Sequence, residues 1–377
     1  MEIRVLHIVD SLNRGSGVMS VIMNLYRNID RSKVQFDFLV SFDKSPNYEE
    51  ELINMGAKVY HLTPPTLKNI RSYINEIDEF FNTHATYTII HSHTPTFNLF
   101  IFPIAKKYGI KFRIAHSHNS KYSDKLLKAI RNYFMLLPTN LIANVYLACS
   151  NKAGEFLFGK KALKEGKVHI INNAIDCERF KYNEIIRGRV RKELEIENQF
   201  VIGHIGRFSE QKNHTFLIDV FYEVLKKSKN ALLLLVGDGD LQKSIMEKVN
   251  SLNIQDQVKF LGVRSDINNL MQAMDVFVMP SLFEGLPVVG VEAQASGLPC
   301  IISDNVTKEI KVANVQFLSL RSPISEWAER ILEFNVKHFR VDSTDDLRKA
   351  GFDIKQEAKK LKELYVKLES MNKSNFI

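Results

Sequence analysis

The chain has 377 residues, more than one hydrophobic core usually serves, and 45% of them are apolar, so we expect two well-filled globular domains. Its three cysteines, Cys149, Cys177 and Cys300, show no Cys-x-x-Cys pair, which argues against a disulfide framework or a zinc site and favours reduced thiols in a cytosolic core. No apolar run reaches the length of a membrane-spanning helix, and the N-terminal stretch is too short for a signal peptide.

Short apolar runs typical of buried strands alternate with amphipathic segments along the first half of the chain. The runs fall at residues 3–9, 36–40, 59–62, 88–93, 112–115, 146–149 and 168–172. Strands and helices that take turns in this way predict a parallel sheet covered on both faces.

A second alternating series follows a break. Residues 177–198 are charged and poor in apolar residues, which we interpret as a linker region. The sequence therefore predicts an α/β protein with two doubly wound domains, residues 1–176 and 177–353, followed by a Lys/Glu-rich helix from about residue 354. The strand-like runs of the second domain fall at 200–205, 231–236, 258–261, 276–279, 299–303 and 315–320.

In each half, the first strand ends in a turn that could hold an anion. The N-terminal turn carries Gly15 and Gly17 before a helix predicted over residues 18–28, and glycines let backbone N–H groups approach a ligand there. The spacing is not Gly-x-Gly-x-x-Gly, so a plain tight turn is an equally good interpretation. In the C-terminal turn, Arg207 and Lys212 suit a diphosphate at the carboxyl end of a strand, with two surface cations as the alternative.

Two carboxylates follow the apolar run at 276–279. Glu284 lies in a loop before Pro287, where a helix is predicted to begin, and Glu292 lies about two turns further on among apolar residues. A carboxylate in such surroundings needs a partner. A surface Glu and a second Glu at the edge of a packed helix are the simpler interpretation of the stretch alone, but the cations of the preceding turn favour a ligand site.

Four motifs in the second half carry a family resemblance. They are Gly-Arg-x-x-x-x-Lys-Asn at 206–213, Val-Gly-Asp-Gly at 236–239, Pro-Ser-x-x-Glu-Gly-x-Pro at 280–287, and Glu-x7-Glu at 284 and 292. The set resembles nucleotide-sugar-dependent glycosyltransferases of the GT-B fold, specifically the retaining family four and its capsular and exopolysaccharide branch. The resemblance implies two Rossmann-like domains facing across a cleft, with the last helix, residues 354–377, crossing back onto the first domain.

The resemblance also implies a role for each motif residue. Arg207 and Lys212 hold the donor diphosphate and stabilise the leaving nucleoside diphosphate, so no metal ion and no cofactor are expected, and the sequence shows no Asp-x-Asp motif beside a strand end. Glu292 accepts hydrogen bonds from the ribose hydroxyls, and Glu284 contacts the transferred sugar. The base is expected near Leu261 and Val263. The other donor-binding positions implied, mostly at the helix start, are Gly17, Gly285, Leu286, Pro287 and Val288.

Two His-x-His pairs close neighbouring strands, His91 with His93 and His116 with His118. Strand alternation points both members of a pair to one face, so a metal site is geometrically possible, although we expect none. The resemblance implies that one histidine after the second of these strands contacts the donor sugar near the reacting centre. We place it at His118, with His116 as the alternative, and we expect His91 and His93 to shape the cleft or the acceptor pocket.

Basic residues are concentrated between residues 101 and 150, where eight Lys or Arg face one acid, Asp124. Apolar residues recur at near-helical spacing among them and predict an amphipathic basic helix over residues 121–137. A solvated face is the commonest meaning of such a run, nucleic acid is a second, and an anionic membrane surface is a third.

The combined expectation is a retaining hexosyltransferase that uses a nucleoside diphosphate sugar, with uridine preferred, and a hydroxyl of a lipid-linked saccharide in capsular or exopolysaccharide synthesis. Docking of the helix at 121–137 on an anionic membrane fits that acceptor. It predicts a cytoplasmic enzyme peripheral at the inner face of the bacterial membrane, with no nucleic-acid partner. A nucleotide-sugar epimerase of the same fold and a non-catalytic nucleotide-sugar-binding assembly subunit are the alternatives.

Overall fold

The computed structural model describes residues 2–42, 47–66, 68–119, 122, 126–335 and 340–374. The chain divides into two compact units. Unit 1 comprises residues 1–173 and 354–377, and unit 2 comprises residues 174–353. The junction therefore follows residue 173 rather than the expected residue 176.

Unit 1 is built on a parallel sheet of seven strands in the order β3-β2-β1-β4-β5-β6-β7. Every strand expected from the apolar runs in this half is present. The strands are β1 (Ile3–Ser11), β2 (Val34–Phe42), β3 (Val59–His61), β4 (Ile89–Ser92), β5 (Phe112–Ser117), β6 (Val145–Ala148) and β7 (Val168–Ile170). The helices are α1 (Gly17–Asn28), α2 (Glu49–Asn54), α3 (Ile70–Thr83), α4 (Asn98–Lys107), α5 (Leu126–Leu136), α6 (Thr139–Ile142), α7 (Asn151–Lys164) and α16 (Ile354–Ser374), with a 3-10 turn at Pro95–Phe97.

Unit 2 is built on a second parallel sheet, of six strands in the order β10-β9-β8-β11-β12-β13. These strands are β8 (Phe200–Ile205), β9 (Ala231–Val236), β10 (Val258–Phe260), β11 (Val276–Met279), β12 (Cys300–Ser303) and β13 (Val315–Leu318). The helices are α8 (Cys177–Phe180), α9 (Glu184–Glu193), α10 (His214–Lys227), α11 (Gln242–Ser251), α12 (Ile267–Ala273), α13 (Val288–Ala295), α14 (Ile324–Leu332) and α15 (Thr344–Lys349). Short 3-10 turns lie at Glu210–Lys212, Gln255–Gln257 and Lys308–Ile310.

Both sheets confirm the prediction of doubly wound α/β units. The strand order reverses between β1 and β4 in unit 1 and between β8 and β11 in unit 2. In open parallel sheets, ligands bind outside the carboxyl ends of the strands at such a switch point. The loops that follow β8 and β11 are therefore where a ligand site of unit 2 is expected. All three cysteines are free and buried, as predicted.

The interpretation of residues 177–198 as a linker is wrong, because most of this charged segment folds into α8 and α9. Asn183 caps α9, since its side chain accepts a hydrogen bond from the N–H of Ile186. Two arginines of α9 then anchor the helix to Asp275, with Arg187 Nη2 at 2.6 Å and Arg191 Nη1 at 3.2 Å from its carboxylate oxygens. Two of the charged residues that resembled a solvated linker, Arg187 and Arg191, thus form structural ion pairs with Asp275.

The C-terminal helix α16 packs within unit 1, although it follows the whole of unit 2 in sequence. Tyr365 is fully buried, and its hydroxyl lies 2.6 Å from Nδ1 of His91 on β4. Glu357 is also fully buried and accepts a hydrogen bond from the N–H of Asn172 at 2.9 Å. The helix therefore completes the core of unit 1.

The Val-Gly-Asp-Gly motif lets two backbone segments touch in unit 2. Gly237 has φ +132°, and a Cβ there would lie 2.2 Å from the carbonyl oxygen of Gly206. The N–H of Gly237 donates to the carbonyl of Gly262 at 2.8 Å. Glycine at this position thus joins the turn after β8 to the loop after β10.

We expect Gly237→Ala to lower the free energy of unfolding by about 1–3 kcal/mol, because the new Cβ meets a carbonyl oxygen and alanine is strained at this φ. Urea-induced unfolding measures the change. Gly188→Ala in α9 is the matched control: its Cβ meets nothing within 4 Å, so it should raise stability by roughly 0.5–1 kcal/mol. Equal effects of the two substitutions would contradict the steric explanation.

Candidate active site

The turn after β8 positions Lys212 by folding its side chain back over the start of the turn. Asn213 adopts the left-handed conformation, with φ 56° and ψ 45°, and ends the 3-10 turn where α10 begins. Asparagine tolerates this conformation better than most residues. A Cβ on Gly206 would lie 3.1 Å from Cδ of Lys212, so the glycine of the motif leaves room for the lysine stem.

An ion pair joins this turn to the loop after β11. Nζ of Lys212 lies 2.6 Å from Oε1 of Glu284, and the two side chains are 16% and 10% exposed. A pair so little exposed is desolvated, so each charge depends on the other. The structure thus brings together two of the predicted catalytic residues.

Gln211 holds the same carboxylate from its other side, a contact that sequence reasoning missed. Its Nε2 donates to Oε2 of Glu284 at 3.2 Å and to the carbonyl of Phe283 at 3.1 Å. The backbone carbonyl of Gln211 accepts a hydrogen bond from the N–H of Leu282 at 2.8 Å. A glutamine directly before the motif lysine belongs to no recognised sequence pattern. Only the fold therefore reveals that Gln211 orients Glu284.

Arg207 leaves the same turn but points into solvent. Its side chain is 60% exposed, and Nη2 lies 3.9 Å from the exposed carboxylate of Asp240. Exposed pairs at this distance contribute little to stability. The guanidinium is therefore available to an anionic ligand at little energetic cost.

Glu292 lies on α13, which begins at Val288 directly after Pro287, as predicted to within one residue. The carboxylate is half-buried and has no hydrogen-bond partner among the described residues. Burial raises its pKa from 4.5 to about 7, against the opposing charge of Arg179. The expectation that this carboxylate has a ligand as its partner stays a prediction.

The start of α13 has no side-chain cap, because Pro287 precedes it. The first N–H groups of a helix lack partners within the helix, so they can bind an anion there. Gly285 and Leu286, just before this point, are buried, whereas Val288 is partly exposed. The predicted donor positions therefore include both buried and accessible backbone.

Gln294 fixes α13 in place, and sequence reasoning missed it too. Its Nε2 donates to the carbonyls of Gly290 and Ile310, both at 2.9 Å. Its Oε1 accepts from the N–H groups of Val312 at 3.1 Å and Ala313 at 3.0 Å. A buried amide satisfied in this way holds the helix that carries Glu292 against the loop after β12.

The loop expected to contact a base follows β10. The N–H of Leu261 donates to the carbonyl of Leu235 at 2.9 Å, and Val263 is 37% exposed. Because the carbonyl of Gly262 binds Gly237, this loop is linked to the turn that carries Arg207. The predicted positions of unit 2 thus lie on loops that are connected by hydrogen bonds.

In unit 1, Gly17 is exposed and begins α1, one residue earlier than predicted. The side chain of Ser16 caps the helix by accepting a hydrogen bond from the N–H of Met19 at 3.4 Å. The small-residue turn is therefore a capped helix start with accessible backbone.

Unit 1 also gathers five histidine rings, those of His7, His91, His93, His116 and His118. Burial lowers the pKa of His118 to about 4 and that of His7 to about 3, and it lowers the pKa of the other three well below the usual value. His118 is half-buried, whereas the other four rings are buried. His91 and His93 therefore have no exposed ring of their own, and our expectation that they shape the cleft or the acceptor pocket stays a prediction.

Two groups within this cluster could hold a metal ion. His7, His91 and His93 form one, and His93, His116 and His118 form the other, with one ring nitrogen from each lying within 4.8 Å of the others. The metal site that the His-x-His spacing allows is thus compatible with the distances between the ring nitrogens. Our expectation that the protein uses no metal stays a prediction.

Within the described residues the predicted basic helix is α5, Leu126–Leu136; residues 121 and 123–125 of the prediction lie outside the described part of the chain. None of its residues is buried. Large apolar side chains are nevertheless exposed on α5 and just after it; they form the α5 face, comprising Leu126, Leu127, Ile130, Tyr133, Phe134, Leu137 and Leu141. Among the described residues, no helix is both long and apolar enough to cross a bilayer.

Comparison with known proteins decides the family. Residues 187–334 match the family described as "Glycosyl transferases group 1", and residues 15–179 match "Glycosyltransferase Family 4". A protein of Bacillus subtilis (strain 168), named as the glycosyltransferase EpsF, is 36% identical over 369 residues and is covered over 96% of each chain. The chain belongs to the group 1 glycosyltransferases.

Other relatives of this glycosyltransferase have more specific names. The Escherichia coli UDP-Gal:alpha-D-GlcNAc-diphosphoundecaprenol alpha-1,3-galactosyltransferase is 26% identical over 74% of this chain and 75% of that protein. The capsular polysaccharide biosynthesis glycosyltransferase CapH of Staphylococcus aureus is 25% identical over 97% of this chain and 99% of its own. The structure of HepE from Anabaena with UDP-glucose has a TM-score of 0.80 at 20% identity, covering 97% of this chain and 100% of that one.

These comparisons confirm the predicted glycosyltransferase class and the GT-B fold with its two Rossmann-like domains. The group 1 match contains Arg207, Lys212, Glu284 and Glu292. The unit 2 loops described above therefore lie in the segment that defines the glycosyltransferase family.

We expect Glu292→Gln to change how the stability of this glycosyltransferase depends on pH. Between pH 4.5 and about 7 the folded protein keeps a proton on Glu292 that the unfolded chain releases, so the contribution of this residue to stability falls as the pH rises through that window. The unfolding free energy of the wild type minus that of the variant should decline across the window and level off above it.

Urea-induced unfolding at a series of pH values measures this difference. Glu247→Gln, at an exposed position on α11, is the matched control and should give a difference that does not vary with pH. Parallel pH curves for wild type and Glu292→Gln would show that the pKa of Glu292 is the same in the folded and the unfolded protein, which would contradict the raised pKa.

Proposed function

We propose that this glycosyltransferase moves a hexosyl unit, with retention of configuration, from a uridine diphosphate sugar to a hydroxyl of a lipid-linked saccharide in capsular or exopolysaccharide synthesis. The observation that carries the proposal is the ion pair of Lys212 and Glu284 at the switch point of unit 2. The names of the relatives support the substrates: one relative uses UDP-Gal and a diphosphoundecaprenol acceptor, and another acts in capsular polysaccharide synthesis.

In the proposed donor complex, the diphosphate replaces Glu284 as the partner of Lys212. The ammonium then stabilises the negative charge that grows on the departing nucleoside diphosphate, and Arg207 adds a second, bidentate cation from its solvent-exposed position. The carboxylate of Glu284 keeps its hydrogen bond from Gln211 and turns to the hydroxyls of the transferred sugar. N–H groups at the start of α13 complete the diphosphate site.

The nucleoside is assigned to the remaining positions. The half-buried carboxylate of Glu292 accepts hydrogen bonds from the ribose hydroxyls, which supplies the partners it lacks among the described residues. The backbone around Leu261 and Val263 contacts the base. Burial raises the pKa of Glu292 to about 7. Hydrogen bonds that the ribose hydroxyls donate to the carboxylate favour its ionised form, so a bound nucleoside lowers this pKa again.

Unit 1 contributes His118 and Gly17 in this proposal. The pKa of His118 is lowered to about 4 by burial, so the ring is neutral at physiological pH and offers the sugar one hydrogen bond rather than a positive charge. Charge stabilisation then rests on Lys212 and Arg207, and the mechanism needs neither a metal ion nor a cofactor. Front-face attack with the diphosphate accepting the proton of the acceptor hydroxyl accounts for retention.

A transfer assay tests the function. Purified enzyme is incubated with a panel of UDP-sugars and membranes that contain lipid-linked saccharides, and the formation of product is followed. Removing one such stabilising group typically costs about 10²–10³-fold in kcat, so we expect losses of this size for Lys212→Ala and Glu284→Gln. Lys227→Ala is the matched control, because it breaks an exposed ion pair with Glu329 in the same unit.

The outcomes separate the candidate functions. Conversion of the donor without any acceptor would indicate an epimerase, and tight donor binding with no turnover would indicate a binding subunit. Full activity in Glu284→Gln would show that the site is assigned wrongly.

Membrane docking through the α5 face is a separate part of the proposal. Leu127 and Phe134 are 83% and 64% exposed, and α5 carries Lys128 and Arg131 but no acidic residue. A short helix that exposes apolar and basic side chains together suits an anionic bilayer surface. The lipid-linked acceptor lies at the same surface.

We expect the double variant Leu127→Glu/Phe134→Glu to bind vesicles of anionic phospholipid at least ~10-fold more weakly, since each large apolar side chain contributes on the order of 1.5–3 kcal/mol when buried. Vesicle flotation measures binding. Ile185→Glu is the matched control, because this residue is 84% exposed but lies in unit 2. Wild-type protein that fails to float with anionic vesicles would refute membrane docking.

A further inference from the structure

Six side chains of unit 1 form one continuous series of hydrogen bonds, which we call the histidine–tyrosine chain. Its links are His116 Nδ1 to His91 Nε2 at 3.0 Å, His91 Nδ1 to Tyr365 Oη at 2.6 Å, Tyr365 Oη to His7 Nε2 at 3.5 Å, His7 Nδ1 to His93 Nε2 at 3.0 Å, and His93 Nδ1 to His118 Nε2 at 2.8 Å. Both nitrogens of each inner ring are used within the chain. Tyr365 divides the chain, with His91 and His116 on one side and His7, His93 and His118 on the other.

Only the two ends of the chain are free. Nε2 of His116 and Nδ1 of His118 have no hydrogen-bond partner among the described residues. His116 is 1% exposed, whereas His118 is half-buried and is the one member that reaches the surface. Nδ1 of His118 is itself covered in the described structure, so a ligand acts on the chain at this end by displacing the groups that cover that nitrogen.

Neutral rings restrict how protons are arranged along the chain. Burial lowers the pKa of all five histidines, so each ring carries one N–H and one lone pair. A hydrogen bond needs one donor and one acceptor, so the tautomer of each ring fixes that of the next. Just two complete arrangements exist: every histidine protonated on Nδ1, or every histidine protonated on Nε2.

The packing of the rings favours this chain over a metal site. His91 stacks on His93 with centroids 4.2 Å apart, and His116 stacks on His118 at 4.1 Å, with interplanar angles of 25° and 30°. Stacked rings direct their nitrogens along roughly parallel planes rather than toward one point. Their nitrogens instead meet other nitrogens, or the tyrosine hydroxyl, in pairs.

We propose that Tyr365, together with His7, His91 and His93, acts as a set of positioning residues that couple the tautomer of His118 to that of His116. An oxygen of a bound nucleotide sugar that accepts a hydrogen bond from Nδ1 of His118 selects the arrangement in which all five rings carry the proton on Nδ1. The identity of this ligand rests on the proposed function, whereas the coupling of the tautomers does not.

The change between arrangements conserves protons. Passing from the Nε2 form to the Nδ1 form, the proton in each of the five hydrogen bonds moves one step from the His118 end toward the His116 end, that is, toward His93, His7, Tyr365, His91 and finally His116. One proton is released from Nε2 of His116, and one is taken up at Nδ1 of His118. Both nitrogens are covered in the described structure, so their exchange with water needs a local opening of the packing. The protein gains no charge, and no other reactant is required.

Nitrogen NMR of full-length protein labelled with ¹⁵N-histidine tests the proposal, because the chemical shift of each ring nitrogen reports whether it carries the proton. His118→Gln and His116→Gln assign the end signals. We expect the five chain histidines of the wild type to share one tautomer, and we expect saturating UDP-glucose to leave all five protonated on Nδ1.

Tyr365→Phe removes the hydroxyl that joins His91 to His7, but it keeps an aromatic ring in place against His7 and Phe36. In this variant, UDP-glucose should still set the tautomers of His118, His93 and His7, but the tautomers of His91 and His116 should no longer follow. Tyr26→Phe is the matched control, because Tyr26 is also fully buried in unit 1 but bonds to Gln35 outside the chain. It should behave as the wild type.

Three results would overturn the proposal: mixed tautomers among the five rings of the wild type, transmission to His116 that survives Tyr365→Phe, or a stoichiometric transition metal in the purified protein. If neither UDP-glucose nor any other UDP-sugar binds, the proposed function fails. The shared tautomer of the ligand-free wild type and its loss of uniformity in Tyr365→Phe still decide whether the rings are coupled.

Discussion

The ion pair of Lys212 and Glu284 is the interaction on which the site of unit 2 depends. It joins the turn after β8 to the loop after β11, which are neighbours across the switch point of the sheet. Two charges with so little exposure are costly to desolvate, and the cost is offset by their attraction and by the hydrogen bond from Gln211. An anionic ligand can take over the lysine without leaving the carboxylate alone, because the amide of Gln211 remains with Glu284. The pair therefore links the two loops of the site, and in the proposed function its lysine is the cation that the donor meets.

Much of this site could be predicted from the sequence, because motif residues sit at fixed offsets from strand ends. Arg207 and Lys212 share one turn and are separated from Glu284 by more than a βαβ unit in sequence, yet the two loops follow strands that neighbour each other in the sheet. Gln211 and Gln294 could not be predicted, since amides are common in loops and helices and only tertiary contacts distinguish these two. The charged segment before β8 was misread for a related reason: its arginines gain their meaning from Asp275, more than eighty residues further along the chain.

The same limit applies to unit 1. Two His-x-His pairs were visible in the sequence, and strand alternation correctly placed each pair on one face. The partners that join them, His7 and Tyr365, are 358 residues apart, and Tyr365 arrives on a helix that follows the whole of unit 2. No local pattern predicts such a contact. The sequence therefore indicated a histidine cluster and left its hydrogen-bond order, and hence the neutrality of its rings, to the fold.

The two units handle charge in opposite ways. Unit 2 presents Lys212 and Arg207, whose positive charge suits the diphosphate of the proposed donor. The five histidines of the histidine–tyrosine chain in unit 1 are neutral because burial lowers their pKa, so they add no attraction for phosphate. A neutral ring with a fixed tautomer distinguishes a hydrogen-bond acceptor from a donor by geometry alone. The five rings of the histidine–tyrosine chain thus differ from the cations of unit 2, because they can select a hydrogen-bonding partner but add no charge.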